Sequence, residues 1–557
     1  MPRFSASIGE SLLGRVLLDR FFFLVLWLGG SCGLLSTGCG GEQPPAAPGV
    51  TPTQTRGVTV EPATKLPAPD PVRHRAELPP PRDLQTAEVV RGEACIRCHL
   101  PPPADALPRE NWAEQILVMS QLPVPSDVAP LTRQELADAI AWYEANAPET
   151  WPLPAAESPP VSSRFTARSY SPEPLLEERI PAASFLAWDP EGRGLLVAEM
   201  RSGTILLLPV GAQEVTDLDL AEPIRWNYPV HISTADLNGD GRLDRIVAGL
   251  GGMNPTDELR GGVQILYGGE SRARPIGQRV ARASDAEAAD LDGDGDLDLV
   301  VCAFGWRGGG ELLFWERVAD QWRFHTIDER DGFVHVETAD IDRDGDVDLI
   351  TAVAQESEEV IIFRNDGGAP PAWTPIVIDR APHPGWGISG LEWVDLDRDG
   401  DRDLLVSHGD SLDVGVMKPY HGVSWLRNDG DFRFTRQSIG SLPGCERAIA
   451  RDFDRDGDLD VIAVAFLPQL DPDRWALDRA ESVVIFKQVD DGWRRITVEV
   501  GNPFHPSVEA GDLDGDGDFE IAVGNYVWID EGQGPRQRRD VLTVFYQNPN
   551  VRDAKDD

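Results

Sequence analysis

A nine-residue unit, Asp-x-Asp-x-Asp-Gly-x-x-Asp, returns six times along the chain, starting at Asp236, Asp290, Asp340, Asp395, Asp452 and Asp512. A decayed seventh copy starts at Asp189, with Arg193 at its fifth position and Val197 at its ninth. Successive copies begin 47 to 60 residues apart. Self-similarity at such an interval marks stacked copies of one small structural unit. Each interval has room for four short strands. In the fourth, residues 333–339 run into the loop and 347–353 leave it, followed by apolar runs at 359–364 and 373–379. Seven four-stranded units predict an all-β ring with few exposed edges, a seven-bladed propeller over residues 161–548.

The unit also carries a chemistry. Side-chain oxygens at positions one, three, five and nine, with the backbone carbonyl of position seven, can wrap a hard cation that takes roughly six to eight oxygens. Glycine at position six permits the sharp turn this requires. The candidate ligands are Asp236, Asn238, Asp240 and Asp244; Asp290, Asp292, Asp294 and Asp298; Asp340, Asp342, Asp344 and Asp348; Asp395, Asp397, Asp399 and Asp403; Asp452, Asp454, Asp456 and Asp460; and Asp512, Asp514, Asp516 and Glu520. The six loops hold 28 carboxylates, and like charges so close oppose folding unless a cation neutralises them. Ca²⁺ is the expected ion, with solvated turns as the alternative. Position twelve, where a helix-loop-helix calcium site needs a carboxylate, holds Val247, Val301, Thr351, Val406, Ala463 and Val523. The loops therefore read as turns between strands, and the copy with Arg193 is expected to hold no ion. These loops resemble the FG-GAP/VCBS repeats of integrin α-chain propellers. The resemblance spans residues 161–548 and implies six calcium loops on one face of a seven-bladed disc.

A second pattern precedes the loops. Five residues before the first loop aspartate stand His231, Asp285 and His335; three before it stand Glu287, Glu337, Glu392 and Glu509. With a period of two these share one side of the entering strand, and Ile232, Val336, Leu391 and Val508 take the other. If the entering strand is innermost, the polar set rings a central channel, where His and Glu could hold a second metal or a substrate. The alternative is hydrogen bonding between blades. His383 and His505, in the preceding loops, are candidates to join the ring. Cys302 is expected in a strand core and Cys445 in a loop, both reduced and structural.

The N-terminal part reads differently. Arg3, Arg15 and Arg20 precede the apolar run 21–28, which ends in small residues before Cys39. That is an export signal over residues 1–39, and Leu35-Ser-Thr-Gly-Cys39 resembles a bacterial lipobox, implying lipidation at Cys39. Residues 40–88, rich in Pro, Thr and Ala without apolar period, read as a disordered linker. Cys95-Ile-Arg-Cys98-His99 is the attachment signature for haem c: two thiols on one turn for the porphyrin and an adjacent imidazole for the iron. A dithiol motif or half a zinc site are the alternatives; the first lacks a βαβ context and the second lacks a partner pair. Met119 is the candidate sixth ligand, and His/Met ligation favours electron transfer. Thr132 with Glu135 forms a capping box before an amphipathic helix that ends in Trp142-Tyr143. Residues 89–150 resemble a small class I-like cytochrome c, which implies a compact all-α domain. Residues 549–557 read as a disordered tail.

Composition narrows the function. With 93 acidic against 51 basic residues, the net charge of −42 repels nucleic-acid backbones and anionic lipid. No nucleic-acid partner is expected, and membrane contact only through the lipid anchor, in the periplasm or at the cell surface. There is no P-loop, G-x-S-x-G elbow or H-E-x-x-H, and no tryptophan-docking repeat of quinoprotein propellers. Three readings stay open. The first is haem c electron transfer to a redox partner protein, with the calcium propeller docking or binding a small molecule or glycan. The second is a metal-dependent propeller oxidoreductase with the haem as electron acceptor. The third is calcium-dependent adhesion without redox chemistry.

Overall fold

The computed structural model describes residues 75, 78–97, 100–121, 128–151, 160–171, 180–212, 214–217, 224–306, 308–319, 321–355, 357–412, 416–468, 470, 477–490, 492–527 and 540–548. The export signal with Cys39, most of the linker, Cys98, His99 and the C-terminal tail lie outside them. No helix among the described residues is long and apolar enough to cross a membrane.

Seven four-stranded antiparallel sheets form a propeller. Blades 1 to 6 each take four consecutive strands. In blade 4 these are Phe333–Ala339, Asp348–Val353, Glu359–Asn365 and Trp373–Arg380. The first strand of every blade touches the first strand of the next, all the way round, so the entering strands form the inner wall. The second strands are buried at every position, from Gly194–Glu199 in blade 1 to Glu520–Gly524 in blade 7. Blades cover both their faces, which is why they read as unbroken apolar runs without alternation.

The seventh blade closes the ring. It holds Val508–Gly511, Glu520–Gly524 and Leu542–Gln547, and its outer strand is Phe165–Tyr170 from the other end of the repeat region. Phe165 pairs with Gln547 and Tyr170 with Leu542. Hydrogen-bonding the two ends into one sheet leaves no open seam between the first and last repeats.

A β-bulge interrupts the first strand in each of blades 1 to 6. In blades 1, 3 and 5 the extra residue is a serine whose hydroxyl donates to the next blade: Ser184 to the Pro229 carbonyl at 2.7 Å, Ser284 to Phe333 at 2.8 Å and Ser389 to Cys445 at 2.9 Å. The bulge resets the pleat just before the channel-facing positions. Cys302 is buried as expected; Cys445 is buried too but opens the first strand of blade 6, because the turn ends one residue earlier at Gly444.

The N-terminal domain packs three helices, α1 (Leu84–Ala94), α2 (Arg109–Met119) and α3 (Arg133–Asn146). The expected capping box is present: Thr132 accepts from the Glu135 N–H and Glu135 from the Thr132 N–H. Trp112 stacks on Tyr143 with ring centroids 3.8 Å apart. The domain begins earlier than residue 89. Asp83 caps α1, Ala87 is fully buried, and buried Asp138 on α3 accepts from the Arg82 N–H and Nε, both at 2.7 Å. The prolines before α1 conceal a segment held by one buried carboxylate.

This domain sits on the propeller. Leu107, Trp112 and Trp151 share one apolar cluster with Val416, Met417, Leu467 and Leu477. Tyr420 donates to the Ala106 carbonyl at 3.2 Å and meets Trp151 edge-on at 5.8 Å. Residues 409–421 and 466–480 link second to third strands in blades 5 and 6, so the helical domain occupies the end opposite the aspartate loops.

Between blades 5 and 6, a Cβ on Gly440 would stand 2.2 Å from a ring carbon of Phe486. Gly440→Val is expected to destabilise the propeller by about 2 kcal/mol through overpacking, read as a lower denaturant midpoint.

Candidate metal centres

Each aspartate loop turns the chain from the first strand of its blade into the second. The position-six glycines have φ between 83° at Gly241 and 103° at Gly457, a region that favours glycine. Position four is left-handed as well. Gly239, Gly293 and Gly515 hold it in three loops, but Arg343, Arg398 and Arg455 hold it at φ of 63°, 58° and 60° in the others. Two of these arginines reach the next loop: Arg398 Nη2 lies 3.6 Å from Asp452, and Arg455 covers the Phe519 ring at 5.7 Å. The motif alone does not signal this link.

The carboxylates have two distinct jobs. Position nine is a buried staple. Asp298 accepts from the Leu291 N–H of its own loop at 3.1 Å and from the Arg317 N–H of the third strand at 2.7 Å. Asp244, Asp348 and Asp403 repeat both bonds; Asp460 repeats the second, from Gln488, and Glu520 the first, from Leu513. Burial pushes these groups up, and nearby loop carboxylates add to it: to about 6 for Asp298, Asp348 and Asp403, and about 7 for Asp460 and Glu520.

Positions one, three and five gather separately. In blades 3 to 6 one carboxylate oxygen from each lies within 4.8 Å of the other two, as with Asp290, Asp292 and Asp294. The turn aims them: in blade 3 Gly295 N–H donates to Asp290 at 3.1 Å and Asp296 N–H to Asp294 at 2.9 Å. In blade 2, Asn238 replaces one carboxylate, and Asp240 N–H donates to both Asp236 and Asn238. In blade 7 the Gly515 N–H donates to Asp512, and the Asp516 and Asp518 N–H groups to Asp514 and Asp516. Asp292, Asp342 and Asp397 are raised by burial and then by the carboxylate two residues on.

Two loops carry a cation of their own. In the decayed first copy Arg193 grips Asp189 through Nε at 2.7 Å and Nη2 at 3.0 Å, and Arg245 adds a contact at 2.8 Å. Burial opposes the charge on Asp189, but the two guanidinium groups outweigh it and hold the carboxyl at about 2. In blade 6 the Lys487 ammonium contacts Asp454 and lies 3.0 Å from Asp456. The equivalent third-strand residues in blades 4 and 5, Arg364 and Arg427, pair instead with Asp366 and Asp429.

The channel wall divides the ring of candidates into two groups. Asp285 sits between two imidazoles, 2.6 Å from His231 Nδ1 and 3.0 Å from His335 Nδ1. The outer nitrogens face glutamates, His231 Nε2 to Glu287 at 3.8 Å and His335 Nε2 to Glu337 at 3.4 Å. Burial of Asp285 opposes its charge, yet the two imidazoles hold it well below the usual carboxylate range. Burial likewise opposes charge on His335, but Asp285, with a hydrogen bond donated to Glu337, raises it to about 9. Glu287 is raised by burial, then by Asp285 and Glu337.

Glu392 and Glu509 do not join this group. Arg451, one residue before the sixth loop, binds Glu392 at 2.6 Å and Glu509 at 2.7 Å and engages both carboxylates of that wall. His383 is packed edge-on against Tyr420 at 4.9 Å, and His505 is bound to Glu499 at 2.7 Å, so neither lies in the ring. Arg447 makes no ion pair with any described residue. It stands where Gly390 has no side chain: a Cβ there would come within 2.9 Å of its Nη1.

Of the four candidate haem residues, Cys95 and Met119 are described, and both are partly buried at the edge of one apolar cluster with Leu131 and Trp142.

Arg193→Ala is expected to cost about 2 kcal/mol, less than the full loss of a buried pair because Arg245 still faces Asp189. The depressed Asp189 carboxyl gives a sign as well. Its contribution is complete above the unfolded value of 3.8 and is lost as pH falls through about 2; acid titration of Arg193→Ala against wild type reads this difference. Lys487→Ala is expected to bind one further equivalent of Ca²⁺ tightly in equilibrium dialysis, because the blade 6 loop no longer competes with its own ammonium.

Residues 290–351 and 340–406 match the FG-GAP-like repeat. No curated protein matches the chain. The chain carries FG-GAP-like repeats in a seven-bladed β-propeller, an architecture that suits a binding or docking module.

Proposed function

We propose that this chain is an exported electron-transfer protein in which a haem c domain is mounted on the ligand-binding end of a calcium-stabilised propeller. The observation that carries the reading is where the helical domain sits. His231, Asp285 and His335 lie near the start of their strands, away from the aspartate loops, so their side of the channel opens toward the end that α2 and Trp151 cover. A redox group in the helical domain would be held beside whatever binds there.

The residues present fit a covalently attached haem. Cys95 and Met119 border the same apolar cluster. Ile96, inside the motif, and Leu100, just after it, are 56% and 48% exposed, apolar surface that a porphyrin edge would cover. Cys95 and Cys98 would carry the thioether links, with His99 and Met119 toward the iron. The group would supply one-electron exchange at a potential raised by thioether ligation. The chain's own residues would support the group from below: Trp112 stacks on Tyr143 in the core, and Arg91 lies 4.2 Å above the Trp142 ring.

Calcium in the aspartate loops is supported by the internal comparison between blades. Where the loop lacks carboxylates, as at Arg193, the chain supplies a guanidinium in the site; in blades 3 to 5 the carboxylates converge with no protein cation among them, and in blade 6 Lys487 stands beside them. The export signal and Cys39 support a lipid-anchored, periplasmic or surface location, with the propeller docking a redox partner protein or a small ligand. The Glu287, His231 and Asp285 cluster favours a second reading, in which the propeller itself performs a metal-dependent oxidation and passes electrons to the haem.

The test is an absorption spectrum of the full chain, matured with haem-loading machinery, before and after dithionite. Sharp reduced bands that survive acid-acetone extraction are expected; a colourless folded protein overturns the reading. Met119→Ala is expected to convert a low-spin ferric spectrum to one with an open or water-filled position. An unchanged spectrum restricts Met119 to packing.

A further inference from the structure

The channel wall holds polar atoms that the packing of the blades leaves unused. The two oxygens of buried Asp285 are not equivalent. Oδ2 accepts the Val336 N–H at 3.0 Å and faces His335 Nδ1 at 3.0 Å, which fixes the carboxylate between blades 3 and 4. Oδ1 lies 2.6 Å from His231 Nδ1, yet the two atoms are not aligned for a hydrogen bond and neither has another partner among the described residues. Glu287 makes no hydrogen bond among the described residues, and its ion-pair contact is His231 Nε2 at 3.8 Å. Asp285 Oδ1 and His231 Nδ1 are thus held by charge alone, and partly exposed Glu287 offers its oxygens to the channel, where an ion could take them.

We infer that the channel holds a divalent transition-metal ion between His231, Asp285 and Glu287. One atom from each residue lies within 4.8 Å of the other two, and a small contraction of the side chains would bring nitrogen and oxygen ligands to about 2.0–2.2 Å from a single ion. One imidazole with two carboxylates suits zinc, manganese or ferrous iron. The aspartate loops offer oxygen alone and suit calcium, so the two kinds of site are chemically distinct. Asp285 and His231 come from blades 3 and 2, and the ion would tie those blades at the inner wall. His335, held by Asp285 on one side and Glu337 on the other, keeps the bridging carboxylate in place, as second contacts of metal ligands do. Arg447, with no ion pair to any described residue, adds a positive charge to the inner wall beside Gly390. A small carboxylate-bearing molecule is the ligand class that would suit a metal with positions open to this channel.

The experiment uses the full chain, stripped with chelator, dialysed into excess Ca²⁺ to fill oxygen-only loops, given Zn²⁺ and gel-filtered. One retained equivalent of zinc is expected, with imidazole scattering at the zinc X-ray absorption edge. His231→Ala and Glu287→Gln are each expected to lose that equivalent. Glu509→Gln, on the wall held by Arg451, is expected to keep it. Should His231→Ala fail to fold, Glu287→Gln, of the same shape and partly exposed, still decides the matter. The inference is overturned if no zinc is retained beside Ca²⁺, if both variants retain it, or if the absorption edge reports oxygen ligands only.

Discussion

Much of this structure depends on a buried carboxylate at the ninth position of each aspartate loop. In blades 3 to 5 its two oxygens accept backbone N–H groups from the loop itself and from the third strand, and in blade 2 from the loop and from Gly268 just past that strand. That pair of bonds fixes the angle between the first, second and third strands, and with it the shape each blade presents to its neighbour. Burial raises these groups to about 6 or 7. The staple is strongest when the group is ionised, because charged acceptors make stronger hydrogen bonds. A cation beside it would favour the ionised form. Loop, sheet and a bound ion would thus form one linked equilibrium.

The same topology separates two tasks. One end of the ring carries the loops, with their dense negative charge and the arginines that reach from loop to loop. The other end carries the blade-to-blade connections, the helical domain and the mouth of the channel. The bulge in the first strands lies at this second end, so the residues it re-aims, His231, Asp285 and His335, belong to the channel side and not to the side of the aspartate loops. A ligand there would lie next to the helical domain without disturbing the loops that hold the blades.

What the sequence makes legible is what repeats. Seven copies at even spacing identify the blades, and period-two burial correctly sends Ile232, Val336, Leu391 and Val508 into the core. The capping box at Thr132 and Glu135 is local and therefore readable. Non-repeating contacts are not. Phe165–Tyr170 has the burial pattern of an exposed edge, and nothing in its composition says that it pairs with residues some 370 positions away. Glu392 and Glu509 look like His231's partners until Arg451, which belongs to another copy, is placed between them. Lys487 is far in sequence from the loop it enters. The helical domain starts inside a proline-rich stretch because Asp138, on α3, binds Arg82.

The claim on which the account turns is that cation binding and closure of the propeller are coupled. Thermal unfolding of the full chain in saturating Ca²⁺ and after chelation tests it most directly. A site held at a hundredfold excess over its dissociation constant adds about 2.7 kcal/mol, so several loops acting together predict a fall of many degrees in Tm on chelation, restored by Ca²⁺. A melt that is the same with and without the ion would contradict the account.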